Sequence, residues 1–291
     1  MITEGHLTRH YQGRQGGRVP AVIDIAQDHA LALLRDAGVF ALGAVLKGGT
    51  AVRKFRAGNA GRFSTDLDFA NADQPVAELI LETLDGARIA GFGFRVERIN
   101  EHRRARLHLT TPFGDPEISA RIDCSPNAAW LPAEDATLVA LPIHRVYDIE
   151  LPTVPVMRSD EVIAEKLARY RRASLARDLY DLAWFAQQGP MNGALIRRLL
   201  VLKVWFDVID DGLGTRPFDP DDILRERHAN AFAEEAIGYL TTPVDIPGWI
   251  AIVRRRFAFV ADLDQDDLRI ARCNLSDRRH VQQLVASFAQ A

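Results

Sequence analysis

Residues 46–70, LKGGTAVRKFRAGNAGRFSTDLDFA, constrain the chain more tightly than any other stretch. Asp66 and Asp68 stand one residue apart, separated by Leu67 and followed by Phe69. Side chains alternate along a strand, so both carboxylates share one face while Leu67 and Phe69 turn into a core. Two carboxylates that close repel unless a cation lies between them. A hard cation such as Mg²⁺ is held by one or two carboxylates together with substrate phosphates. The glycine pair Gly48-Gly49, followed by Thr50, lets backbone amides approach such phosphates at the start of a helix.

Around this stretch the apolar pattern switches between helix and strand. Residues 1–20 read as a polar lead-in with a glycine-rich break at 13–17. Ile23, Ile25, Ala26, Ala30, Leu33 and Leu34 predict a helix over 22–37, ended by Gly38. A strand is expected over 40–46, a turn at Lys47 and the glycine pair, a helix over 50–55, a loop over 57–62 and the carboxylate strand over 64–70. A helix over 76–90 precedes strands over 92–99, 104–111 and 117–124. In the second of these, Ala105, Leu107 and Leu109 oppose Arg104, Arg106 and His108. In the third, Ile118, Ala120 and Ile122 oppose Ser119, Arg121 and Asp123. Strands are also expected over 137–141 and 146–149, with Pro142, Pro152 and Pro155 marking a linker. After Ser159 the texture is helical, over 160–172, 175–188, 193–211, 221–240, 247–263 and 275–289.

Composition excludes several classes. The chain has 291 residues, room for one large domain or two ordinary ones, with 47% hydrophobic and 26% charged residues as in a globular protein. A formal net charge of -3 gives no global basic field, so any nucleic acid must be met by local patches. Cys124 and Cys273 make neither a disulfide framework nor a zinc site and read as buried, reduced thiols. Met1 to Gly17 lacks the apolar core of a signal peptide, and no apolar run is long enough to span a membrane. The expectation is a cytoplasmic protein without a membrane partner.

Gly-Gly-Thr followed at an interval by Asp-x-Asp resembles the signature of the nucleotidyltransferase superfamily. The longer strings LKGGTAVRKF and RFSTDLDF resemble the AbiEii/MenT group, the nucleotidyltransferase toxins of type IV toxin–antitoxin and abortive-infection systems. DEVIAEKLARYRRASLARDLYDLAWF, residues 160–185, extends that resemblance. It implies an α/β fold: a nucleotidyltransferase (DNA polymerase β-like) mixed-sheet domain over 1–155, then an α-helical domain over 156–291 that closes the active-site cleft. It also implies an enzyme, a Mg²⁺- or Mn²⁺-dependent transferase that moves NMP from an NTP, a pyrimidine nucleotide in close relatives, to the 3′ end of tRNA. Growth arrest would follow, restrained by a cognate antitoxin.

Residue by residue, the resemblance makes Asp66 and Asp68 metal ligands. Asp123 is either a third carboxylate or an ordinary polar-face residue. Gly48, Gly49 and Thr50 would contact the triphosphate through backbone amides and the Thr hydroxyl. Lys47 and Arg53, and from the loop Arg56 and Arg62, would neutralise its charge. Ser64 shares the face of Asp66 and could touch the γ-phosphate. Its counterpart in the resembled toxins can be phosphorylated by a kinase-like antitoxin, and a phosphate there would add about two negative charges beside the carboxylates. Spacing alone would make Lys166 a snorkelling surface lysine, whereas the resemblance makes it a triphosphate-binding cation. Asp181, or else Asp178, would orient that lysine or act as general base. Arg169, Arg171, Arg172 and Arg177 are the basic cluster best placed for RNA phosphates. Three other readings stay open: a nucleotidyltransferase acting on a small-molecule or protein hydroxyl, a nucleotide-binding module without turnover, and a toxin whose harm comes from binding a partner.

Overall fold

The computed structural model describes residues 2–100, 103–214 and 216–289. The chain forms two compact units. The first comprises Met1–Ala129, Ala133–Met157 and Gly238–Thr242; the second comprises Trp130–Pro132, Arg158–Ile237 and Pro243–Ala291. The class is mixed α/β, as expected.

The first unit runs α1 (Glu4–His10), α2 (Arg18–Asp36), β1 (Val45–Lys47), α3 (Gly48–Val52), β2 (Asp66–Ala70), α4 (Gln74–Leu84), β3 (Arg88–Ile89), β4 (Phe92–Asn100), β5 (Arg104–Thr110), β6 (Ile118–Cys124), β7 (Glu134–Thr137) and β8 (Thr153–Val156). Among the described residues the strands make one eight-stranded sheet in the order β3-β4-β5-β6-β2-β1-β8-β7. Strand β2 is antiparallel to β1 and parallel to β6. Leu67, Phe69, Leu107, Leu109, Ala120 and Ile122 enter one core with Ile25, Leu31 and Leu34 of α2 and Ile80, Leu81 and Leu84 of α4. Full burial of each large apolar side chain contributes roughly 1.5–3 kcal/mol, against about 0.2–1 kcal/mol for a cross-strand polar pair. The core row therefore sets the register. A slip of one residue would turn Leu67 and Phe69 to solvent and drive Asp66 and Asp68 inward.

Several boundaries differ from the sequence reading. Helix α2 begins at Arg18, because Pro20 falls in its first turn, where the missing N–H would have had no helical acceptor. The expected strand over 40–46 is cut to β1, since Phe40–Leu42 forms a 3₁₀ turn ended by Gly43 at φ 100°. Helix α4 stops at Leu84 instead of reaching residue 90. Strand β7 covers 134–137 instead of 137–141, and the Val139 N–H leaves the ladder to donate to Lys54 O at 2.8 Å. Residues 142–146 form a 3₁₀ turn in place of a strand over 146–149. The proline-marked linker holds β8, which pairs in parallel with β1 and is continued by Met157 N–H to Leu46 O at 2.9 Å.

The second unit is helical: α5 (Ser159–Arg172), α6 (Ala176–Gln187), α7 (Gly193–Ile209), α8 (Asp221–Leu224), α9 (Ile246–Arg256), α10 (Gln265–Ala271) and α11 (Arg278–Phe288). The helix expected over 221–240 ends at Leu224. Arg227 is drawn inward, donating to Ser174 Oγ and Tyr170 O at 2.9 Å and to Asp222 O at 2.6 Å, with its guanidinium 4.0 Å above the Tyr170 ring. Hydrogen bonds from a charged group are worth about 1.5–3 kcal/mol each, more than the propensity of the few helical residues given up.

The first unit also buries a charge network that hydrophobic periodicity does not reveal. Asp24 and Asp28, one turn apart on α2, are each 2% exposed. Lys54 Nζ donates to Asp24 Oδ1 at 3.0 Å, Asp24 O at 2.7 Å and Asp28 Oδ1 at 2.6 Å. His10 Nε2 lies 2.8 Å from Asp24 Oδ2, and the Tyr147 hydroxyl donates to Asp28 Oδ2 at 2.6 Å. Burial pushes both carboxyls up. Lys54, with Arg53 and His10 at Asp24 and His144 at Asp28, overcomes it and holds them below the usual carboxylate range. A depressed native value contributes stability that is present above the unfolded value of about 3.9 and lost as pH falls through the native one. Chemical denaturation followed from pH 7 to pH 2 should therefore show stability falling below about pH 4. Lys54→Met, which strands two buried carboxylates, should cost roughly 3–5 kcal/mol at pH 7 in the same assay and flatten that pH dependence.

Candidate active site

The pairing of β1, β2 and β6 builds the carboxylate face. Lys47, Asp68 and Asp123 stand side by side in one cross-strand row, and Asp66 stands beside Arg121 in the next. Leu67 and Phe69 are fully buried while Asp66 and Asp68 are half-buried, so the alternation read from the sequence holds. Arg121 donates to Asp66 through Nε at 3.2 Å and Nη2 at 2.8 Å. Arg104 Nε donates to Asp123 Oδ2 at 3.0 Å. Arg121 was not among the candidate site residues. Alternation along β6 put it on the face of Asp123, but only the parallel register against β2 sets it beside Asp66.

The glycine pair is needed for space as well as conformation. Gly48 has φ 76°, and a Cβ there would lie 2.1 Å from Asp68 Oδ2. A Cβ on Gly49 would lie 2.3 Å from Arg62 Nη2 and 2.9 Å from Ser64 Oγ. The bare backbone of the two glycines thus lies between the Asp68 carboxylate and the Arg62 and Ser64 side chains. Thr50 is fully buried and its hydroxyl donates to the Asp66 carbonyl, which ties α3 to β2. Its hydroxyl is placed for that tie and not as the phosphate donor expected. Arg53 does not match its expected phosphate contact either. At 2% exposure it turns into the fold, donating to the carbonyls of Gly58 and Gly61, with its guanidinium 4.1 Å above the Phe63 ring.

Among the described residues, no three His, Cys, Asp or Glu side chains gather into a metal site. Asp123 has the strand position expected of a third carboxylate; Arg104 engages one of its oxygens, as Arg121 engages both oxygens of Asp66. Asp66 and Asp68 are hard oxygens on one face with the Cβ-free backbone of Gly48 against the second. That set fits Mg²⁺ or Mn²⁺, which takes one or two protein carboxylates and completes its shell from phosphate and water. Cys124 is not a competing thiolate. Burial, followed by the charges of Asp123 and Asp68, pushes its thiol up to about 12. Cys273, expected to be buried, is half-buried, and neither cysteine is in a disulfide.

In the second unit, α5 carries Lys166 and α6 carries Asp178 and Asp181. All three are buried. Lys166 Nζ donates to Asp181 Oδ2 at 2.6 Å and lies 3.6 Å from Asp178 Oδ1. Asp178 Oδ2 is 3.3 Å from Arg169 Nε. Of the two aspartates, Asp181 is the one that holds the lysine. The basic cluster is less open than its sequence suggests. Arg171 is 3% exposed and donates to Arg216 O at 2.6 Å, while Arg172 caps Ala168 O and Leu213 O at 3.3 Å. Arg171 and Arg172 also lie 3.5 Å from Asp222 Oδ2 and 3.4 Å from Asp207 Oδ2, so Arg171 is withdrawn while Arg169, Arg172 and Arg177 are partly accessible.

The family described as "Nucleotidyl transferase AbiEii toxin, Type IV TA system" matches residues 32–262. Among solved structures the chain is similar to "MenT4, nucleotidyltransferase toxin Rv2826c from Mycobacterium tuberculosis H37Rv". The TM-score is 0.93 and the identity 44%, over 99% of this chain and 100% of that one. No curated protein matches the chain. The geometry of the glycine pair predicts a graded response to added methyl groups. Gly43→Ala, at φ 100° with nothing within 4 Å of the new Cβ, should cost only the ~1–2 kcal/mol of a left-handed alanine in denaturant unfolding. Gly48→Ala should cost more and abolish any thermal stabilisation by added Mg²⁺.

Proposed function

The chain belongs to the AbiEii family of nucleotidyltransferase toxins of type IV toxin–antitoxin systems, and on that premise we propose that it transfers NMP from an NTP to the 3′ end of tRNA with Mg²⁺ or Mn²⁺ at Asp66 and Asp68. The observation that carries this reading is the single face shared by Asp66 and Asp68, with Gly48 and Gly49 packed against it. A divalent cation bound there would supply Lewis-acid polarisation of the transferred phosphoryl group and charge for the leaving pyrophosphate. In the reaction the acceptor hydroxyl forms a new bond to the α-phosphorus as the bond to the pyrophosphate oxygen breaks, and the hydroxyl proton passes to a base.

The chain's own residues divide the work. Lys47, in register with Asp68, adds positive charge at the carboxylate row. Arg121 holds Asp66 in place from the neighbouring strand. Lys166 serves the same reaction as a cation for the phosphates, and Asp181, at 2.6 Å, fixes its ammonium. The sheet unit is the nucleotidyltransferase domain, and the helical unit carries the lysine. The pyrimidine donor follows the family resemblance. Blocked translation and growth arrest in the cytoplasm would be the consequence, restrained by a cognate antitoxin. Phosphorylation of Ser64 would set about two negative charges against Gly49 and beside the carboxylates, opposing NTP binding.

The test is incubation of the purified chain with Mg²⁺, total tRNA and each α-labelled NTP in turn. Label should pass to tRNA from a pyrimidine NTP and fall at least ~100-fold in Asp66→Ala and Lys166→Ala, as when a residue that stabilises transition-state charge is lost. Melting curves should accompany Lys166→Ala, because Asp178 and Asp181 would lose their buried partner. Label on a small molecule or on protein would replace the acceptor. NTP binding without pyrophosphate release would overturn turnover itself.

A further inference from the structure

The sheet face that bears Asp66 and Asp68 continues across β6, β5 and β4, and the strand registers fix the order of charge along it. One cross-strand row runs Asp66, Arg121, Arg106, Glu97. The next runs Lys47, Asp68, Asp123, Arg104. The first row is negative, positive, positive, negative, and the second is the reverse. Like charges directly opposite each other destabilise a sheet. Such breaches of a local rule concentrate at functional sites. The cation that Asp66 and Asp68 fit would relieve the opposed carboxylates Asp68 and Asp123. An anion would relieve the opposed arginines Arg106 and Arg121.

These arginines are open where Arg171 is not. Side-chain exposure is 67% for Arg104, 48% for Arg106 and 64% for Arg121. Arg121 is committed to both oxygens of Asp66, and Arg104 is bound through Nε alone to Asp123 Oδ2. Arg106 is held least. Its ion pair runs from Nη1 to Glu97 Oε2 at 3.4 Å, and that oxygen already lies 2.6 Å from His108 Nε2. His108 Nδ1 lies 2.6 Å from Glu117 Oε1, which also accepts from Arg95 Nη2 at 2.6 Å. The far edge of the face thus satisfies its own carboxylates. Among the described residues, both Nη groups of Arg104 and most donors of Arg106 are left without an acceptor.

The face selects the chemistry of its ligand. Where β5 pairs β6 it presents Arg104, Arg106, His108, Ser119, Arg121 and Asp123, with no apolar side chain. Protein interfaces are built around apolar and aromatic cores depleted of charge. Contacts to a nucleic-acid backbone come from arginine and lysine on phosphate oxygens, which a guanidinium fork matches. The two rows balance four cations against four carboxylates. A divalent cation at Asp66 and Asp68 tips that balance toward binding a polyanion. Arg106 stands two strand spacings from Asp66, roughly 10 Å. A ligand that reaches both extends past the reacting hydroxyl into the phosphates that precede it.

We propose that the open face of β5 and β6 is the track for the acceptor strand, with Arg104 and Arg106 on its backbone phosphates and its 3′ end led along the Arg121 row to Asp66. The track presupposes the nucleotidyl-transfer reading of the Asp66 and Asp68 face. It places acceptor contacts on the sheet unit, apart from the helical cluster around Arg169 that the sequence favoured. Arg104 and Arg106 position the acceptor and take no part in binding NTP.

The experiment measures anisotropy of fluorescently labelled total tRNA on the full chain, with Mg²⁺, without NTP and over a range of KCl. KM for tRNA and for NTP is measured in parallel. Arg104→Ala and Arg106→Ala should each raise Kd and KM for tRNA severalfold, and the double variant at least tenfold. The slope of log affinity against log salt should flatten by about 0.7 for each arginine removed. Replacing both by lysine should keep the slope and recover part of the affinity. Kd and KM for NTP should stay within about twofold throughout. Arg255→Ala, an exposed arginine on α9, should change nothing. Arg106→Ala gives up one long ion pair and relieves Arg121, so its melting temperature should not fall, and the test stands even where the double variant fails to fold. A folded Arg106→Ala with parental Kd and KM for tRNA overturns the track. Weaker binding at an unchanged salt slope overturns the phosphate contacts. Poly-glutamate that binds the parent as tightly as tRNA, and is lost equally in the variants, gives the face to an acidic protein instead. A parent that labels tRNA while the variants keep its KM overturns the track alone. A parent that binds no tRNA and labels another acceptor overturns the acceptor reading as well.

Discussion

How closely α3 can approach β2 decides the chemistry of the sheet's open face. Strand β1 delivers the chain antiparallel to β2, and the turn at Gly48 takes φ 76°, a backbone region that side chains with a Cβ rarely adopt. The Asp68 carboxylate fills the space where that Cβ would be. Thr50 then pins the helix to the Asp66 carbonyl. Backbone and two carboxylates are thereby brought together by the fold itself, and charge stabilisation in a transferase draws on such fixed placement.

Buried charge divides into cations that hold the fold and cations that face the site. Arg53 and Lys54 are adjacent in the chain. Both are captured by α2 or by the turn that follows α3, and Lys54 is shared by two aspartates that burial would otherwise protonate. The loop to β2 sets Arg62 and Ser64 against Gly49, beside the buried Phe63 under Arg53. The same division recurs in the helical unit. Arg171, Arg172 and Arg227 satisfy carbonyls, while Lys166 is held between carboxylates. A run of arginines in a helical sequence is therefore a poor guide to a nucleic-acid surface until each guanidinium's acceptor is known.

Nucleotidyl transfer by this family needs cations, carboxylates and a backbone that phosphate can reach. Asp66 and Asp68 lie on β2, and Lys166 and Asp181 on α5 and α6. Strands and helices hold side chains more precisely than loops do, and the loop before β2 is held by Tyr239 O and the Thr241 hydroxyl.

The sequence by itself determined the strand that carries Asp66 and Asp68, the face they share, the need for glycine before α3, a change from sheet to helix near residue 155 and the family. These follow from local rules: a period of two, a positive-φ turn and a motif at fixed spacing. Tertiary structure alone decided that Asp123 faces Arg104, that Arg121 reaches Asp66, that Arg53 and Arg171 turn away from their expected roles, and that β8 forms where prolines marked a linker. It also decided that residues 238–242, where a helix was expected to run to residue 240, clamp the loop before β2 instead. The physical reason is common to all of these. A buried cation or an unpaired strand edge must find acceptors, and the acceptors it finds lie tens to hundreds of residues away, where no local pattern can announce them.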